Sequence, residues 1–316
     1  MSCPRFSFVL PAYKGRYLAE SIKSILAQTV TDFELVIVND CSPDDIAGIV
    51  ADNKDARIRY YENERNIGGT DLVAQWNRCL SYARGEYVIL ATDDDIYEPN
   101  FLEAFVPLIE KYPEVGVFRA RIMNVDDSGS IKYLDKCYKE YLRQEEFCFH
   151  LLQGIQGGIP QNIFNRKMLV SNGGFVSFPL AWGSDDATIL MMSKKGIVHS
   201  QDYLVKFRWS NLNISSDHTL KTASLKFEAR LKFCLFVEKE VAKMEFKKTA
   251  LGNYLKEHIV GNQSQKVIVV RALREVPLRG CLSALNMVRK CELFSVKDIP
   301  ADEIWGGNPA KFIKKL

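Results

Sequence analysis

The chain has 316 residues, of which 47% are hydrophobic and 26% charged, and its formal net charge is +3. These proportions are those of an ordinary globular protein with a sizeable apolar core, so they exclude disordered, collagen-like and low-complexity chains. The sequence also lacks an apolar run of the roughly 18–20 residues that span a bilayer, and its N-terminus does not resemble a signal peptide. We therefore expect a soluble, cytoplasmic protein.

The distribution of charge indicates two parts of the chain, and the cysteines and histidines indicate which metal ligands and redox state to expect. Residues 221–316 contain 19 Lys and Arg against 10 Asp and Glu, whereas residues 1–220 are acidic overall. The eight cysteines form no CxxC pair, which favours free thiols in a reducing compartment. With only four histidines, any metal is expected to be held by carboxylates. The sequence predicts one domain at 1–218 and a basic, mainly helical region at 219–316, with different partners.

Short apolar runs alternate with amphipathic segments in the first 130 residues, which predicts an α/β fold with a mostly parallel sheet. Ser42 and Pro43 are predicted to be the N-cap and the first residue of a helix, and Gly85 to end another helix. Residues 153–184, rich in Gly and Pro, are predicted to form a binding loop. Strands are predicted at 6–10, 35–38, 57–61, 86–91 and 115–123, and helices at 16–28, 70–83 and 187–194, from Pro43, from near Pro99 and after 219.

Three consecutive carboxylates, Asp93, Asp94 and Asp95, follow the fourth predicted strand. Open α/β sheets bind ligands at the carboxyl ends of their strands, and adjacent carboxylates repel one another unless a cation offsets their charge. A hard divalent ion such as Mg²⁺ or Mn²⁺ would do so and would leave coordination positions for phosphate oxygens. A structural alternative is an acidic turn that caps the helix beginning near Pro99.

Three further groups are candidates, each with a structural alternative. Asp40 follows the second predicted strand and could accept a hydrogen bond from a nucleobase or a ribose, or cap the next helix. Tyr13 could stack on a base or pack in the core. Asp185 and Asp186 lie between the Gly-rich segment and a predicted helix, where they could supply a general base or a helix cap.

The order and spacing of nine sequence motifs connect these candidates. They are FVLPAY at 8–13, SILAQT at 24–29, FELVIVND at 33–40, NIG at 66–68, WNRCL at 76–80, ARGEY at 83–87, TDDD at 92–95, GGF at 173–175 and DD at 185–186. Together they resemble glycosyltransferase family 2, whose members use nucleotide-sugar donors. The resemblance covers residues 6 to about 215. It implies the GT-A fold, a Rossmann-like, mostly parallel sheet flanked by helices, here with a helical C-terminal extension, and an inverting single displacement.

The resemblance also implies a role for each matching residue. Asp94 would coordinate Mn²⁺ or Mg²⁺ on the diphosphate, and Asp93 would face the ribose or the donor sugar beside that metal. Asp186 would be the catalytic base, with Asp185 as its neighbour or substitute. Asp40 would hold the nucleobase. The other residues implied to contact the nucleotide sugar are Pro11, Ala12, Tyr13, Asn66 and Asn77.

Three positions depart from the family's pattern. Lys14 stands where an Asn usually follows the Tyr, and Asn39 replaces the first of two usual aspartates. Arg208 is not followed by the His that is common in the family, although its guanidinium could still reach a diphosphate. The third metal contact is therefore open. His218 is one candidate, and an exposed loop histidine is the alternative.

Partners follow from the same resemblance. It implies a nucleotide-sugar donor, with UDP-sugars favoured, and a glycan or lipid-linked acceptor in the synthesis of surface polysaccharide or glycolipid. The basic C-terminal region could bind anionic lipid at the inner face of the membrane, or be solvated. Residues 299–311 are similar to the closing tail of hexapeptide-repeat acyltransferases, and nucleic acid is not an expected partner. The alternative function is a non-catalytic nucleotide-sugar-binding or scaffold protein of the same fold.

Overall fold

The structure is a computed structural model that describes residues 3–155, 158–210, 216–217, 219–244, 250–259 and 287. His218 and the segment 299–311 lie outside the described residues. The chain divides into two compact units. The first unit comprises Met1–Ser177 and Thr188–Ser210, and the second comprises Phe178–Ala187 and Asn211–Leu316.

One mixed sheet forms the centre of the first unit. The strands are β1 Phe6–Ala12, β2 Phe33–Asn39, β3 Ile58–Glu62, β4 Tyr87–Leu90, β5 Ile96–Tyr97, β6 Val117–Val125, β7 Ile131–Leu134, β8 Tyr141–Leu142, β9 Asn162–Asn165 and β10 Ile197–Arg208. Their order in the described part of the chain is β3-β2-β1-β4-β9-β6-β10-β5, with β7 beside β6 and β8 beside β10. The first four strands in this order are parallel to one another, and β9 is antiparallel to both of its neighbours.

Helices of the first unit cover its sheet because their apolar faces pack on it. In the first of them, α1, Leu18, Ile22 and Ile25 recur at helical spacing and are all fully buried. The helices are α1 Leu18–Leu26, α2 Ile46–Ala51, α3 Leu72–Tyr82, α4 Phe101–Lys111, α5 Gln144–Leu152, α6 Arg166–Ser171, α7 Ser184–Met192, α8 Leu220–Lys243 and α9 Ala250–Ile259. Helices α8 and α9 belong to the second unit. Within the described residues, no helix is both long and apolar enough to cross a membrane.

An aromatic cluster in the core fixes the loop that follows β4. Tyr97 is buried, and its ring packs edge-on against Phe8 at 5.1 Å and Phe101 at 4.9 Å between ring centroids. The Tyr97 hydroxyl donates to the Pro160 carbonyl at 2.9 Å. Since β4 belongs to the centre of the sheet and Tyr97 is anchored in the core, the intervening residues 91–95 are held at both ends.

The predicted α/β alternation and mostly parallel first half are confirmed, while several details are wrong. The second helix begins at Ile46, because the Asp45 carboxylate accepts the Gly48 N–H at 2.8 Å and is the N-cap. Ser42 lies in the preceding turn, where its hydroxyl donates to the Tyr13 carbonyl and accepts from the Asp44 N–H. Residues 153–184, predicted as a loop, include β9 and α6. The sequence also predicts no strand at β5 or β10.

Gly85 has a different role from the predicted helix stop. The preceding helix, α3, ends at Tyr82, and Gly85 lies against β1. A Cβ atom at Gly85 would be 2.7 Å from the Phe6 carbonyl carbon and 2.7 Å from the Ser7 nitrogen. This close approach of two backbones requires a glycine. The close approach at Gly85 places the start of β4 beside β1, the strand that ends in the candidate site.

Candidate active site

The predicted site residues that follow β1, β2 and β4 lie at one edge of the sheet. Strands β1, β2 and β4 are parallel, so the residues that follow them emerge on the same side. Ala12 ends β1 and is buried, Pro11 before it is half-buried, and Tyr13 after it is 41% exposed. The Tyr13 ring is therefore open to solvent in the β1–α1 loop, which agrees with a ligand-facing position and contradicts core packing.

Residues 92–95 after β4 form the turn that carries the three aspartates, which we call the acidic turn. Its first aspartate, Asp93, holds the β1–α1 loop. Asp93 Oδ2 accepts the backbone N–H groups of Tyr13 at 3.1 Å and Lys14 at 2.8 Å. Burial raises the pKa of the Asp93 carboxyl, while these two hydrogen bonds and the Lys14 ammonium act in the opposite direction. Asp93 thus ties the end of β1 to the end of β4.

The other two aspartates of the turn differ in their surroundings. Burial and then the neighbouring Asp93 carboxylate raise the pKa of Asp94 to about 6. Asp95 is fully buried and accepts the Thr92 hydroxyl at 2.5 Å and the Arg208 backbone N–H at 2.7 Å. Burial and the Asp94 carboxylate raise the pKa of Asp95 well above its ordinary range. Asp95 is therefore part of the support of the turn, and Asp93 and Asp94 are the candidate ligands.

Arg208 reinforces the turn from β10. Its guanidinium donates to the Asp94 carbonyl at 3.0 Å, to the Asp127 carbonyl at 3.1 Å and to Glu20 Oε2 at 2.7 Å. The side chain is only 3% exposed, and the guanidinium carbon lies 4.2 Å from the centre of the Tyr17 ring. This geometry favours a structural cation over the diphosphate contact expected from the sequence. Glu20, Asp127 and Tyr17 are support residues that sequence reasoning missed, because no motif indicates them.

Asp40 organises the loop after β3. Its carboxylate accepts the Asn63 side-chain amide at 2.8 Å and the backbone N–H groups of Ile67 at 2.8 Å and Gly68 at 2.7 Å. A carboxylate has about four lone-pair sites, so these three bonds leave about one. Asp40 is 3% exposed. Its contact with a nucleobase remains a prediction, and the structure adds a second role in fixing the residues that border the site.

The two predicted asparagines also have partners within the protein. Asn66 Oδ1 accepts the Gly69 N–H at 2.5 Å, inside the same loop. Asn77, on α3, accepts the Phe175 N–H at 2.9 Å and donates to the Phe175 carbonyl at 3.4 Å. Both polar ends of the Asn77 amide therefore contact the backbone after the Gly173-Gly174 pair, which favours a structural role over the expected nucleotide contact.

The candidate base residues belong to the second unit. Asp185 and Asp186 occupy the first turn of α7 and are half-buried. The Asp186 N–H donates to Asp185 Oδ1 at 2.9 Å, and the Phe178 N–H donates to the Ser184 hydroxyl at 3.1 Å. Negative charge is favoured in the first turn of a helix, so this position stabilises ionised carboxylates. Their place relative to the acidic turn stays a prediction.

The acidic turn fits a hard divalent ion on the chemistry of its donors. Asp93 and Asp94 are adjacent oxygen donors whose pKa values are raised by burial, and Asp94 also feels the charge of Asp93. A cation beside them would offset that cost. In the described part of the chain no three His, Cys, Asp or Glu side chains are grouped to hold a metal. Two carboxylates suffice for Mg²⁺ or Mn²⁺ when substrate phosphates supply further oxygens.

Comparison with known proteins gives a consistent result. The sequence model of glycosyl transferase family 2 matches residues 7–173. An uncharacterized glycosyltransferase of Methanocaldococcus jannaschii is 28% identical over 237 residues, which are 70% of this chain and 80% of that protein. WcaA of Escherichia coli, whose name refers to colanic acid biosynthesis, is 35% identical over 106 residues, 33% of this chain and 37% of its own.

Two solved structures share the fold at 17% identity. TarS 1–349 of S. aureus in complex with UDP-GlcNAc superposes with a TM-score of 0.65, covering 95% of this chain and 82% of that one. The mannosyltransferase PcManGT of Pyrobaculum calidifontis, in complex with GDP-Man and Mn²⁺, superposes with a TM-score of 0.53, covering 99% and 79%. The predicted GT-A fold is thus confirmed, and the chain belongs to glycosyltransferase family 2.

Proposed function

We propose that this glycosyltransferase is metal-dependent and inverting, and that it transfers a sugar from a nucleoside-diphosphate sugar to a hydroxyl of a glycan or lipid-linked acceptor. The observation that carries the proposal is the acidic turn, in which Asp93 and Asp94 are held between a core strand and the β1–α1 loop with raised pKa values. A turn of this kind costs folding free energy, and binding of a cation and a diphosphate would offset that cost.

The donor would lie along the loops at the ends of β1, β2 and β4. Tyr13 offers an exposed aromatic ring for the nucleobase, and Asp40 rigidifies the neighbouring loop at 63–68. A bound Mn²⁺ or Mg²⁺ would supply charge stabilisation for the departing diphosphate. UDP is the favoured nucleotide. The structural neighbours bind UDP-GlcNAc and GDP-Man, so guanosine donors belong in the first test.

Asp186 would act as the general base, with Asp185 as its neighbour or substitute. Its carboxylate takes the proton of the acceptor hydroxyl while that oxygen forms a bond to the anomeric carbon. The bond between the anomeric carbon and the diphosphate oxygen breaks, and its electron pair leaves with the diphosphate. Because attack and departure are on opposite faces of the sugar, the configuration is inverted. The first-turn position of Asp186 on α7 is one where the helix dipole favours negative charge, which supports this role.

Synthesis of a surface polysaccharide or glycolipid is the proposed setting. The similarity to WcaA, a relative named for colanic acid biosynthesis, supports it. Lipid-linked acceptors would place the protein at the inner face of the membrane, and the excess of Lys and Arg in residues 221–316 would favour that contact.

The stereochemical outcome tests this proposal without knowledge of the acceptor. Glycosyltransferases can transfer the donor sugar slowly to water, so the protein is incubated with UDP-glucose, UDP-GlcNAc or GDP-mannose and Mn²⁺. Proton NMR of the first sugar released, read before mutarotation, is expected to show the β-anomer from these α-linked donors. Early release of the α-anomer would contradict inversion. Absence of both hydrolysis and nucleotide binding would favour the scaffold alternative.

A further inference from the structure

Lys14 occupies an unusual place beside the acidic turn. Its backbone N–H donates to Asp93 Oδ2 at 2.8 Å, which fixes the residue at the point where β1 gives way to the loop before α1. The side chain is half-buried. Its ammonium group forms no hydrogen bond or ion pair with any residue that the structure describes. A lysine whose stem is partly buried beside the turn and whose ammonium has no hydrogen bond within the described residues can bind a ligand that brings negative charge.

The charge of Lys14, whose backbone N–H is bound to Asp93, acts on both candidate metal ligands. Its positive charge opposes the rise in the pKa values of Asp93 and Asp94, and Arg208 has the same effect on Asp94. The two cations differ in their availability. The Arg208 guanidinium is bound by Glu20 and by the Asp94 and Asp127 carbonyls and is almost fully buried. Of these two cations, Lys14 is therefore the one whose charged group makes no hydrogen bond within the described residues and can contact a ligand.

We infer that the Lys14 ammonium binds the diphosphate of the sugar donor and stabilises the negative charge that develops on it as the sugar leaves. This inference rests on the proposed function and extends it to a residue at which the chain departs from the family's usual Asn. An ammonium is a compact point charge that suits phosphate oxygens from many directions. When the bond to the anomeric carbon breaks, the electron pair passes to the diphosphate oxygen, and Lys14 keeps its proton throughout.

The alternative is that Lys14 does not contact the donor and only reduces the repulsion between Asp93 and Asp94. The two roles predict different ligand dependence. If Lys14 is only a counter-charge, its loss changes the turn and alters the affinity for nucleosides and diphosphates alike. If Lys14 binds the diphosphate, its loss weakens only the binding of molecules that carry phosphate. Lys14→Met removes the charge and keeps a long side chain, and Lys14→Arg keeps the charge.

The test is calorimetric titration of the full chain with UDP, GDP, uridine and guanosine, in Mn²⁺ and in EDTA. Lys14→Met is expected to weaken the preferred diphosphate about tenfold to hundredfold, the range for one charge-assisted hydrogen bond, and to leave the nucleoside unchanged. In EDTA the wild type should keep weak diphosphate binding that the Met variant loses. Lys14→Arg should stay within about threefold of wild type.

Arg16→Met is the matched control. Arg16 is an exposed cation in the same loop, and its guanidinium carbon lies 4.9 Å from the centre of the Tyr17 ring. Its loss should change diphosphate affinity by less than about twofold, because exposed charges are screened by solvent.

Three results would overturn the inference: equal diphosphate affinity in Lys14→Met and wild type, equal weakening of nucleoside and diphosphate, or loss of affinity in Lys14→Arg as well as in Lys14→Met. Failure of the proposed function is distinguishable, because in that case the wild type itself binds no nucleoside diphosphate.

Discussion

Replacing Asp94 by Asn is expected to stabilise the metal-free protein and to abolish its metal-dependent nucleotide binding. Burial and the Asp93 carboxylate raise the pKa of Asp94 to about 6, whereas an aspartate in an unfolded chain titrates near pH ~3.9. At pH 7 the ionised side chain therefore costs up to about 3 kcal/mol of folding free energy, since one pKa unit corresponds to ~1.4 kcal/mol. Solvent screening and relaxation of the turn reduce this, so we expect a gain of ~1–3 kcal/mol.

The gain should depend on pH with a definite sign. From about pH 4 to about pH 6 the folded protein binds more protons at Asp94 than the unfolded chain does, so wild-type stability falls as the pH rises through this window. An Asn side chain does not titrate. The advantage of Asp94→Asn should therefore be small near pH 4, grow up to about pH 6 and stay constant above it.

Urea denaturation in EDTA at pH 4 and pH 7 measures the effect. Asp52→Asn, at an exposed aspartate, is the control for loss of one negative charge and should change stability by less than about 0.5 kcal/mol. An Asp94→Asn protein that is less stable than wild type at pH 7, or equally stabilised at both pH values, would refute the account of a turn strained by burial and repulsion.

Three further variants test separate parts of the account. Gly85→Ala should lower the free energy of unfolding by ~1–3 kcal/mol in urea denaturation, because its Cβ would lie 2.7 Å from the β1 backbone; an unchanged midpoint would contradict this close approach. Arg208→Met should destabilise the protein by ~2–4 kcal/mol, since it leaves the Asp94 and Asp127 carbonyls without their donor and removes the ion pair with Glu20; a loss below about 1 kcal/mol would favour the diphosphate role instead. Asp186→Asn should reduce sugar transfer by at least about a hundredfold while calorimetry finds its affinity for the nucleoside diphosphate unchanged; transfer at the wild-type rate would move the base to Asp185.

The centre of the sheet was predictable from the sequence because its signals are local. Strands β1 and β2 are continuous apolar runs, as buried parallel strands require, and the acidic turn follows β4 directly along the chain. Residues that are neighbours in the sequence were therefore enough to predict these strands. They were also enough to predict Asp93 and Asp94 as a pair of candidate metal ligands, without knowledge of any tertiary contact.

The strands that the sequence did not predict lack such a pattern. In β10 the register shifts between His199 and Tyr203, so apolar and polar residues do not alternate. Strand β9 is four residues long, begins and ends with Asn, and lies in a region rich in Gly and Pro. Their places are set by pairing with β6, which a single sequence does not reveal.

The roles of the site residues were less predictable than their positions. Arg208 was expected at a diphosphate, and its structural role depends on Glu20, which is 188 positions earlier in the chain. Asp40 was expected at a nucleobase, and its three partners are in the loop after the next strand. Such roles depend on which partners the fold brings within hydrogen-bonding distance.

Calorimetric titration of the wild-type protein with a panel of nucleoside diphosphates, with and without Mn²⁺, tests the central claim most directly. The acidic turn is proposed to bind a metal and a diphosphate together, so one nucleotide of the panel should bind at least about tenfold more tightly with Mn²⁺ than in EDTA. The same titration with Asp94→Asn should find no effect of the metal. Equal affinity with and without Mn²⁺ in the wild type, or a metal effect that survives in Asp94→Asn, would contradict the assignment of the turn as the donor site.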